Sequence, residues 1–196
     1  MRTRNSDKQS LVKQKAIELL GRDGFEGFSV NKLAKACNIS VATIYIYYKD
    51  KDDLIISILN EESRRMAESM IRDLDPQLSF EAGLRQQWKN RYAYMMENPS
   101  LGRFFDQVRS STYQKHFLDN FMGLFQSTIH RFMRNVLDRG EVREMPLEVY
   151  WSVAFAPLYS LIRFHFEGQS LVGHPFQLSD EVLWATFDLV VKALKA

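Results

Sequence analysis

A run of hydroxyl-bearing and aromatic residues between Ser29 and Lys51 contains the side chains of this chain that are best suited to chemistry. Tyr45, Tyr47 and Tyr48 lie within four residues of one another, and a lysine follows three residues later. Tyrosine hydroxyls and lysine ammonium groups donate hydrogen bonds to phosphate oxygens. Two serines in the same stretch are of the type that caps a helix N-terminus, where free backbone amides also attract anions. The stretch therefore has the composition of an anion-binding surface.

The spacing within this stretch predicts two short helices joined by a tight turn. Ser29 is expected to cap a helix at about 30–37, and Ser40 a second helix at about 41–47. Asn38 lies in the turn, and asparagine is one of the few residues besides glycine that accept the left-handed conformation. A pair of helices arranged in this way can present the second helix to the major groove of DNA.

The side chains of the second short helix divide into two predicted groups. The base-facing group is small or apolar, which suits contacts with base edges and thymine methyl groups. It comprises Val41, Ala42, Thr43 and Ile46. Tyr45 and Tyr47 are expected to donate to phosphate oxygens, as is Lys51 at the start of the next helix. Tyr48 lies one turn after Ile44 and is expected to face the core.

Flanking segments are expected to add contacts with the DNA backbone. Ser29 and Asn31 lie at the first turn of one short helix and Ser40 at that of the other. Arg2 and Arg4 are predicted to form an arm that follows the backbone or enters a minor groove. Residues 1–50 hold nine Lys/Arg and five Asp/Glu, a net charge of +4, while the remainder carries −2. This asymmetry favours a polyanionic partner for the first part, although chance explains it equally well.

The same residues also have a purely structural interpretation. A tyrosine-rich helical turn usually belongs to a core or an interface, and two capped helices in succession are common. Residue chemistry alone therefore leaves two functions open: a DNA-binding protein, or a helical small-molecule- or protein-binding dimer whose head does not bind DNA.

The rest of the chain is predicted to be helical. Apolar residues recur at helical spacing, with no strand-like alternation and no internal repeat. Further helices are predicted at about 7–22, 50–74, 80–97, 101–110, 113–139, 147–168 and 180–194. Asp50, with Asp53 three residues on, is expected to cap the long helix at 50–74. We therefore predict an all-α fold: a three-helix helix-turn-helix DNA-binding head, residues 1–49, joined by this long helix to a larger helical effector-binding and dimerisation body, residues 50–196.

Residues 10–55 resemble the N-terminal domain of the tetracycline-repressor-like (TetR) family of bacterial transcription regulators. The matching positions are Ala16, Leu19, Gly24, Ser29-Val30, Leu33-Ala34, Ile39-Ser40, Thr43-Ile44-Tyr45, Tyr48, Lys51 and Leu54. The run from position 39 to position 54 is specific to that family. Departures from the pattern are Cys37, where alanine is usual, and Asn38 and Ala42, where glycine is common. Ile46 is apolar at a position that is often polar.

The resemblance implies a function as well as a fold. It implies that the second short helix is the recognition helix, with Tyr45, Tyr47 and Lys51 at phosphate-binding positions and residues 41–43 at base-binding positions. It further implies a homodimer that binds a double-stranded, pseudo-palindromic operator. A small-molecule effector would shift the long helix and release the DNA. Repression is the usual mode of the family.

The last two predicted helices are apolar on more than one face. A surface helix of a monomer needs a single apolar stripe, so a second stripe indicates a second packing partner. Helices 147–168 and 180–194 are therefore predicted to form a C2 homodimer interface of four helices. Burial of both faces within one large core is the alternative.

Bulky apolar residues in the middle of the chain are candidates to line a cavity for an apolar or aromatic effector. They are Trp88, Tyr92, Met95, Phe104, Phe105, Phe121, Phe125, Phe155 and Tyr159. The same pattern is also typical of a plain hydrophobic core. Polar candidates to orient a ligand are Arg91, Gln107, His130 and Arg163.

The sequence lacks the patterns of an enzyme or a metal protein. The four histidines have no ligand spacing, and neither a glycine-rich phosphate loop nor a GxSxG motif occurs. No catalytic residue, metal or cofactor is expected. The single Cys37 fits a reducing compartment, and no signal peptide is visible. The late charge-free stretch 149–162 has 14 residues, short of the ~20 that span a bilayer. A cytoplasmic protein without membrane association is expected.

Overall fold

The computed structural model describes residues 2–196, with the side chains of all but residues 2–6, 124 and 125. Its helices are α1 (Arg2–Gly27), α2 (Val30–Ala36), α3 (Val41–Tyr45), α4 (Lys51–Met70), α5 (Phe80–Glu97), α6 (Pro99–Arg109), α7 (Gln114–Asp138), α8 (Leu147–Ala154), α9 (Ala156–Glu167) and α10 (Asp180–Leu194). The described residues contain no β-strand and only two isolated β-bridges. The predicted all-α class is confirmed.

The chain separates into two compact units. Unit 1 comprises Met1–Met66 and Asn98–Met122, and unit 2 comprises Ala67–Glu97 and Gly123–Ala196. This partition groups α6 and the start of α7 with the helices predicted to form the head. The functional boundary after residue 49 stays a prediction.

Unit 1 is built on α1, which begins five residues earlier than predicted and continues beyond residue 22. Gly24 interrupts its helical path with φ 71° and ψ 177°, a conformation that a residue with a Cβ atom rarely adopts. One turn earlier, a Cβ atom at Gly21 would lie 3.2 Å from the backbone nitrogen of Phe104 on α6. Helices α1 and α6 therefore pack backbone against backbone.

Unit 2 has an aromatic core around α5. The indole Nε1 of Trp88 donates a 2.8 Å hydrogen bond to the carbonyl oxygen of Ala154, and the Trp88 ring packs edge-on against Phe187. The carboxylate of Glu141 caps α5 by accepting a 2.5 Å hydrogen bond from the backbone amide of Phe80. This bond and the neighbouring Arg139 guanidinium lower the pKa of Glu141.

The prediction of one helix over 147–168 was wrong. The structure contains two helices, α8 and α9, and Phe155 between them has φ −127° and ψ −27°. Pro157 provides the physical reason, since it has no amide hydrogen for the carbonyl of Val153 and its ring crowds the preceding turn. No helix in the described part of the chain is long and apolar enough to cross a bilayer.

Candidate functional site

The turn between α2 and α3 has the predicted backbone geometry. Asn38 adopts φ 52°, in the left-handed region. The amide of Ile39 then donates a 3.0 Å hydrogen bond to the carbonyl of Ala34, which returns the chain across the end of α2. Leu33 on α2 and Ile44 on α3 are both buried, at 0% and 1% exposure. The two short helices therefore pack against each other through one side of each.

Three predicted helix caps are confirmed. The Ser29 hydroxyl accepts from the amide of residue 32 at 3.3 Å, and the Ser40 hydroxyl accepts from the amide of Thr43 at 3.2 Å. At α4, the Asp50 carboxylate accepts from the amide of Asp53, and the Asp53 carboxylate accepts from the amide of Lys49, both at 2.8 Å. These two bonds satisfy one amide in the first turn of α4 and the amide of the residue before its cap.

The exposed face of α3 carries no charged side chain. Ala42 is exposed, Tyr45 is 50% exposed and Ile46 is 76% exposed. These positions are three and four residues apart, so they lie side by side on the helix surface. Val41 and Thr43 are half-buried, and the Thr43 hydroxyl lies 2.8 Å from that of Ser40. This exposed face of α3 is thus apolar, with one prominent phenol.

The remaining tyrosines flank this face. Tyr48 is 3% exposed, which confirms its predicted inward orientation. Tyr47 is half-buried, with its ring centroid 6.4 Å from that of Tyr48. The buried Tyr48 therefore anchors the segment that follows α3 in the core. Tyr47 lies at the edge of the exposed face of α3.

Lys51 has an intramolecular contact that the sequence did not predict. Its Nζ donates a 2.9 Å hydrogen bond to the carbonyl oxygen of Phe25 and lies 5.7 Å from the ring centroid of Phe28. An ammonium group has three N–H donors, so one such bond leaves capacity for a phosphate. Lys51 therefore connects the start of α4 to the kinked end of α1 in addition to its predicted DNA contact.

Unit 1 also contains a contact that ties Tyr113, the residue before α7, to α4. The Tyr113 hydroxyl donates to the carboxylate of Asp52, and the Tyr113 ring packs against Phe25 at a centroid distance of 5.0 Å. Burial, followed by the Asp52 carboxylate, raises the pKa of Tyr113 to about 12. The hydroxyl therefore remains protonated at neutral pH and fixes the first turn of α4.

The other predicted DNA-contacting residues lie at the edges of the helix-turn-helix. Asn31 is exposed, and Ser29 is half-buried. The backbone of Arg2 and Arg4 belongs to the first turn of α1 instead of a separate arm. The side chains of both arginines lie outside the described residues.

The predicted effector-lining residues fall into two groups, one in each unit. In unit 1, Phe104 is buried, and Phe105 and Phe121 are half-buried. In unit 2, those that are buried are Trp88, Met95 and Phe155. Tyr92 and Tyr159 are half-buried, and the side chain of Phe125 lies outside the described residues.

Of the four polar candidates for ligand orientation, only Arg91 is buried, at 2% exposure. Gln107 is half-buried, whereas His130 and Arg163 are exposed. Two further polar residues of unit 2, Gln87 and Tyr150, are almost fully buried, and no sequence pattern distinguished them. No group of three His, Cys, Asp or Glu side chains suited to a metal ion occurs among the described residues.

Helices α8 and α10 are apolar on two faces. Their inward residues, including Ala154 and Phe187, are buried. Large apolar side chains on other faces are between 36% and 69% exposed. They are Leu147, Val149, Trp151, Val182 and Leu189. Trp151 stacks on Tyr159 of α9 at a centroid distance of 6.0 Å, which holds one flat ring at this surface.

The helix-turn-helix of unit 1 lies within a segment that matches a known protein family. Residues 14–58 match the model of the family described as bacterial regulatory proteins, tetR family. An uncharacterised HTH-type transcriptional regulator of Haemophilus influenzae is 31% identical over 101 residues, which cover 52% of this chain and 54% of that protein. The match thus spans about half the length of this curated relative.

Solved structures share the fold over nearly the whole chain. A TetR family transcription regulator from Marinobacter aquaeolei has a TM-score of 0.81 at 24% identity, covering 100% of this chain and 99% of that one. The transcriptional regulator FadR of Bacillus subtilis, solved in complex with stearoyl-CoA, has a TM-score of 0.70 at 17% identity, covering 94% and 98%. Residues 14–58 thus match the tetR family of bacterial regulatory proteins, and the chain as a whole shares the fold of solved TetR family regulators.

Proposed function

We propose that this chain is a ligand-responsive transcriptional repressor that binds a pseudo-palindromic operator as a C2 homodimer. Each protomer presents α3 to one half-site, and a small apolar or aromatic effector bound by the helical body releases the DNA. The observation that carries the proposal is that α3 exposes an uncharged face while its opposite side packs in the core. Both α2 and α3 are capped, which fixes the position of this face. A helix of five residues is too short to be stable alone, so its exposed side chains favour a surface role.

The dimer is supported by α8 and α10. Monomeric proteins seldom expose a contiguous group of large apolar side chains, and such groups mark interfaces. A two-fold axis through this surface would place α8 and α10 of both protomers in a four-helix contact. Two heads held by one dimer would then match the symmetry of a pseudo-palindromic operator.

The effector proposal rests on the aromatic content of the body and on a relative. FadR of Bacillus subtilis binds stearoyl-CoA, a ligand with a long apolar chain. Unit 2 of this chain has an apolar, aromatic core around Trp88, Phe155 and Phe187. An effector that prefers the DNA-incompetent state shifts the population away from DNA by its difference in affinity for the two states.

Replacing Tyr45 by alanine is expected to weaken operator binding about 5- to 150-fold. A neutral hydrogen bond contributes about 0.5–1.5 kcal/mol, and a dimer loses it twice.

Replacing Lys51 by alanine is expected to make the dependence of log K on log[salt] shallower by about 2, since each lost phosphate contact removes about 0.9 and a dimer loses two such contacts. Fluorescence anisotropy at several salt concentrations measures both effects.

The salt slope separates the two roles of Lys51. If Lys51 only supports Phe25 through its carbonyl contact, the variant loses affinity or stability with an unchanged slope. Lys89, an exposed lysine of unit 2, provides the matched control, and Lys89→Ala is expected to leave affinity and slope unchanged. Indifference of DNA binding to both substitutions would instead favour a helical scaffold that does not bind DNA.

The apolar face of α3 predicts recognition of thymine methyl groups. An operator is first selected from a random DNA pool, and its half-site thymines are then replaced one at a time by deoxyuridine, which lacks the 5-methyl group. Losing one buried methyl costs about 0.8 kcal/mol, so we expect about fourfold weaker binding at each contacted thymine. Ile46→Ala protein is expected to lose discrimination at the thymine that Ile46 contacts.

Deoxyuridine at thymines outside the protein footprint is the control and is expected to have no effect. Equal binding of thymine and deoxyuridine operators by the native protein would contradict methyl recognition. An effect of equal size in the native and Ile46→Ala proteins would assign the methyl contact to another side chain.

A further inference from the structure

Two buried polar groups in unit 2 have no hydrogen-bond partner among the described residues. They are the amide Nε2 of Gln87, whose residue is 1% exposed, and the hydroxyl of Tyr150, whose residue is 6% exposed. A buried donor that loses its partner costs about 1–3 kcal/mol, so native proteins rarely retain one without a reason. Two such groups in one core indicate that their acceptor comes from outside the fold.

The two groups belong to one cluster. Gln87 and Arg91 are four residues apart on α5, so their side chains share a face of that helix. The Arg91 guanidinium carbon lies 4.0 Å from the ring centroid of Phe155. The Tyr150 ring packs edge-on against the same ring, with centroids 6.0 Å apart. Phe155 therefore contacts both Arg91 of α5 and Tyr150 of α8, which places these side chains in one region of the core.

The charge state of the cluster favours an anion. Burial raises the pKa of Tyr150, which keeps its hydroxyl protonated as a donor at neutral pH. An arginine side chain keeps its positive charge in proteins, even where burial lowers its pKa as it does here. An amine-bearing ligand would add a further donor beside a cation. A carboxylate offers only acceptors and carries the complementary charge.

We propose that Gln87, Arg91 and Tyr150 form the polar end of a binding site for a monocarboxylic acid with an apolar body. The apolar part packs against the aromatic core that includes Trp88 and Phe155, and the carboxylate accepts from the Gln87 amide and the Tyr150 hydroxyl. This site deepens the proposed function, on which it rests, by assigning the effector to the organic acids and excluding amines.

Isothermal titration calorimetry of the whole 196-residue chain tests the site with matched probes. The acids are decanoate, oleate and 4-phenylbutyrate, and each is compared with the amine of the same carbon skeleton. We expect at least one acid to bind and its amine to bind at least 10-fold more weakly. Tyr150→Phe and Gln87→Leu are expected to weaken that acid at least 10-fold each. Gln87→Glu, which keeps the shape but adds a negative charge, is expected to weaken it further.

Thermal unfolding without ligand distinguishes a binding role from a structural one. Because the two groups lack partners in the ligand-free fold, removing them by Tyr150→Phe or Gln87→Leu is expected to leave Tm unchanged or to raise it. Gln86 on the same helix is half-buried, and its Nε2 bonds to Asn90 at 3.0 Å. Gln86→Leu is the matched control and is expected to leave acid binding unchanged.

Several results would overturn the site. One is that no acid of the panel binds, which would leave a bound water as the occupant. Another is that the amines bind as tightly as the acids. A third is that Tyr150→Phe and Gln87→Leu lower Tm while acid affinity stays the same.

Operator binding by the ligand-free protein is measured separately. A protein that binds the operator but no acid retains the proposed DNA-binding function without this site, whereas one that binds acid but no DNA retains the site alone.

Discussion

Charging the exposed apolar surface of α8 and α10 is expected to abolish specific operator binding. The double substitution Trp151→Glu and Leu189→Glu places a carboxylate on each helix, at side chains that are 44% and 69% exposed in the protomer. Each carboxylate would have to lose its water in the proposed two-fold contact. The two protomers would also bring negative charges close to each other. The protein is therefore expected to become a folded monomer.

The loss of affinity follows from the loss of the second head. When one head of a dimer is bound, the other is held near its half-site at an effective concentration of the order of millimolar. A single short helix reading a few base pairs has no comparable advantage. We expect specific affinity to fall about 100-fold or more, as measured by fluorescence anisotropy, with the oligomeric state determined by sedimentation velocity.

The chain offers a matched control for this experiment. Leu171 lies in the loop between α9 and α10 and is 84% exposed, so Leu171→Glu adds one carboxylate at an even more accessible apolar residue. This variant is expected to form the proposed dimer and to bind the operator normally. A stable monomer of the double variant that bound the operator as tightly as the native protein would refute the two-head arrangement.

The parts of the molecule that sequence predicts well are local ones. Ser29, Ser40 and the Asp50–Asp53 pair act on amides within four residues, so a cap can be recognised from spacing alone. The left-handed turn at Asn38 depends on the chemistry of one residue. The break at Phe155 was also readable, because Pro157 lies two residues later, but the strong apolar periodicity on both sides favoured one continuous helix.

Contacts between distant segments could not be predicted in the same way. The Lys51 ammonium meets the carbonyl of a residue 26 positions earlier, and the Tyr113 hydroxyl meets a carboxylate 61 positions earlier. No periodicity or spacing within one sequence encodes such pairs. The buried amide of Gln87 was missed for a related reason: glutamine is a good helix former that is usually exposed, so its burial depends on which face of α5 the tertiary structure covers.

Gly83 is the residue whose importance is least visible in the sequence, and substituting it is expected to destabilise unit 2 strongly. A Cβ atom at this position would lie 2.2 Å from Cε2 and 2.4 Å from Cζ of Phe132. Phe132 is 0% exposed, so its ring is enclosed by other protein atoms and cannot turn out into solvent. Helices α5 and α7 would have to separate, and the surrounding core would loosen. We expect Gly83→Ala to lose about 2–3 kcal/mol of unfolding free energy, the upper part of the range for overpacked cores.

Helix propensity alone predicts that Gly83→Ala raises the free energy of unfolding, whereas the contact with Phe132 predicts that it lowers it. The direction of the measured change therefore decides between the two. Alanine is about 1 kcal/mol more favourable than glycine within a helix, so a glycine without close neighbours is expected to gain stability. Gly123 on α7 meets that condition, because nothing lies within 4 Å of a Cβ atom built there. For a chain of this size, thermal unfolding is expected to show Tm about 4–12 °C lower for Gly83→Ala and about 2–4 °C higher for Gly123→Ala.

Adding Phe132→Leu to Gly83→Ala is expected to cost less unfolding free energy than the two single changes together, since the smaller side chain relieves the contact that the new methyl group creates. Equal stabilisation by both alanines would mean that α5 and α7 do not approach each other at Gly83.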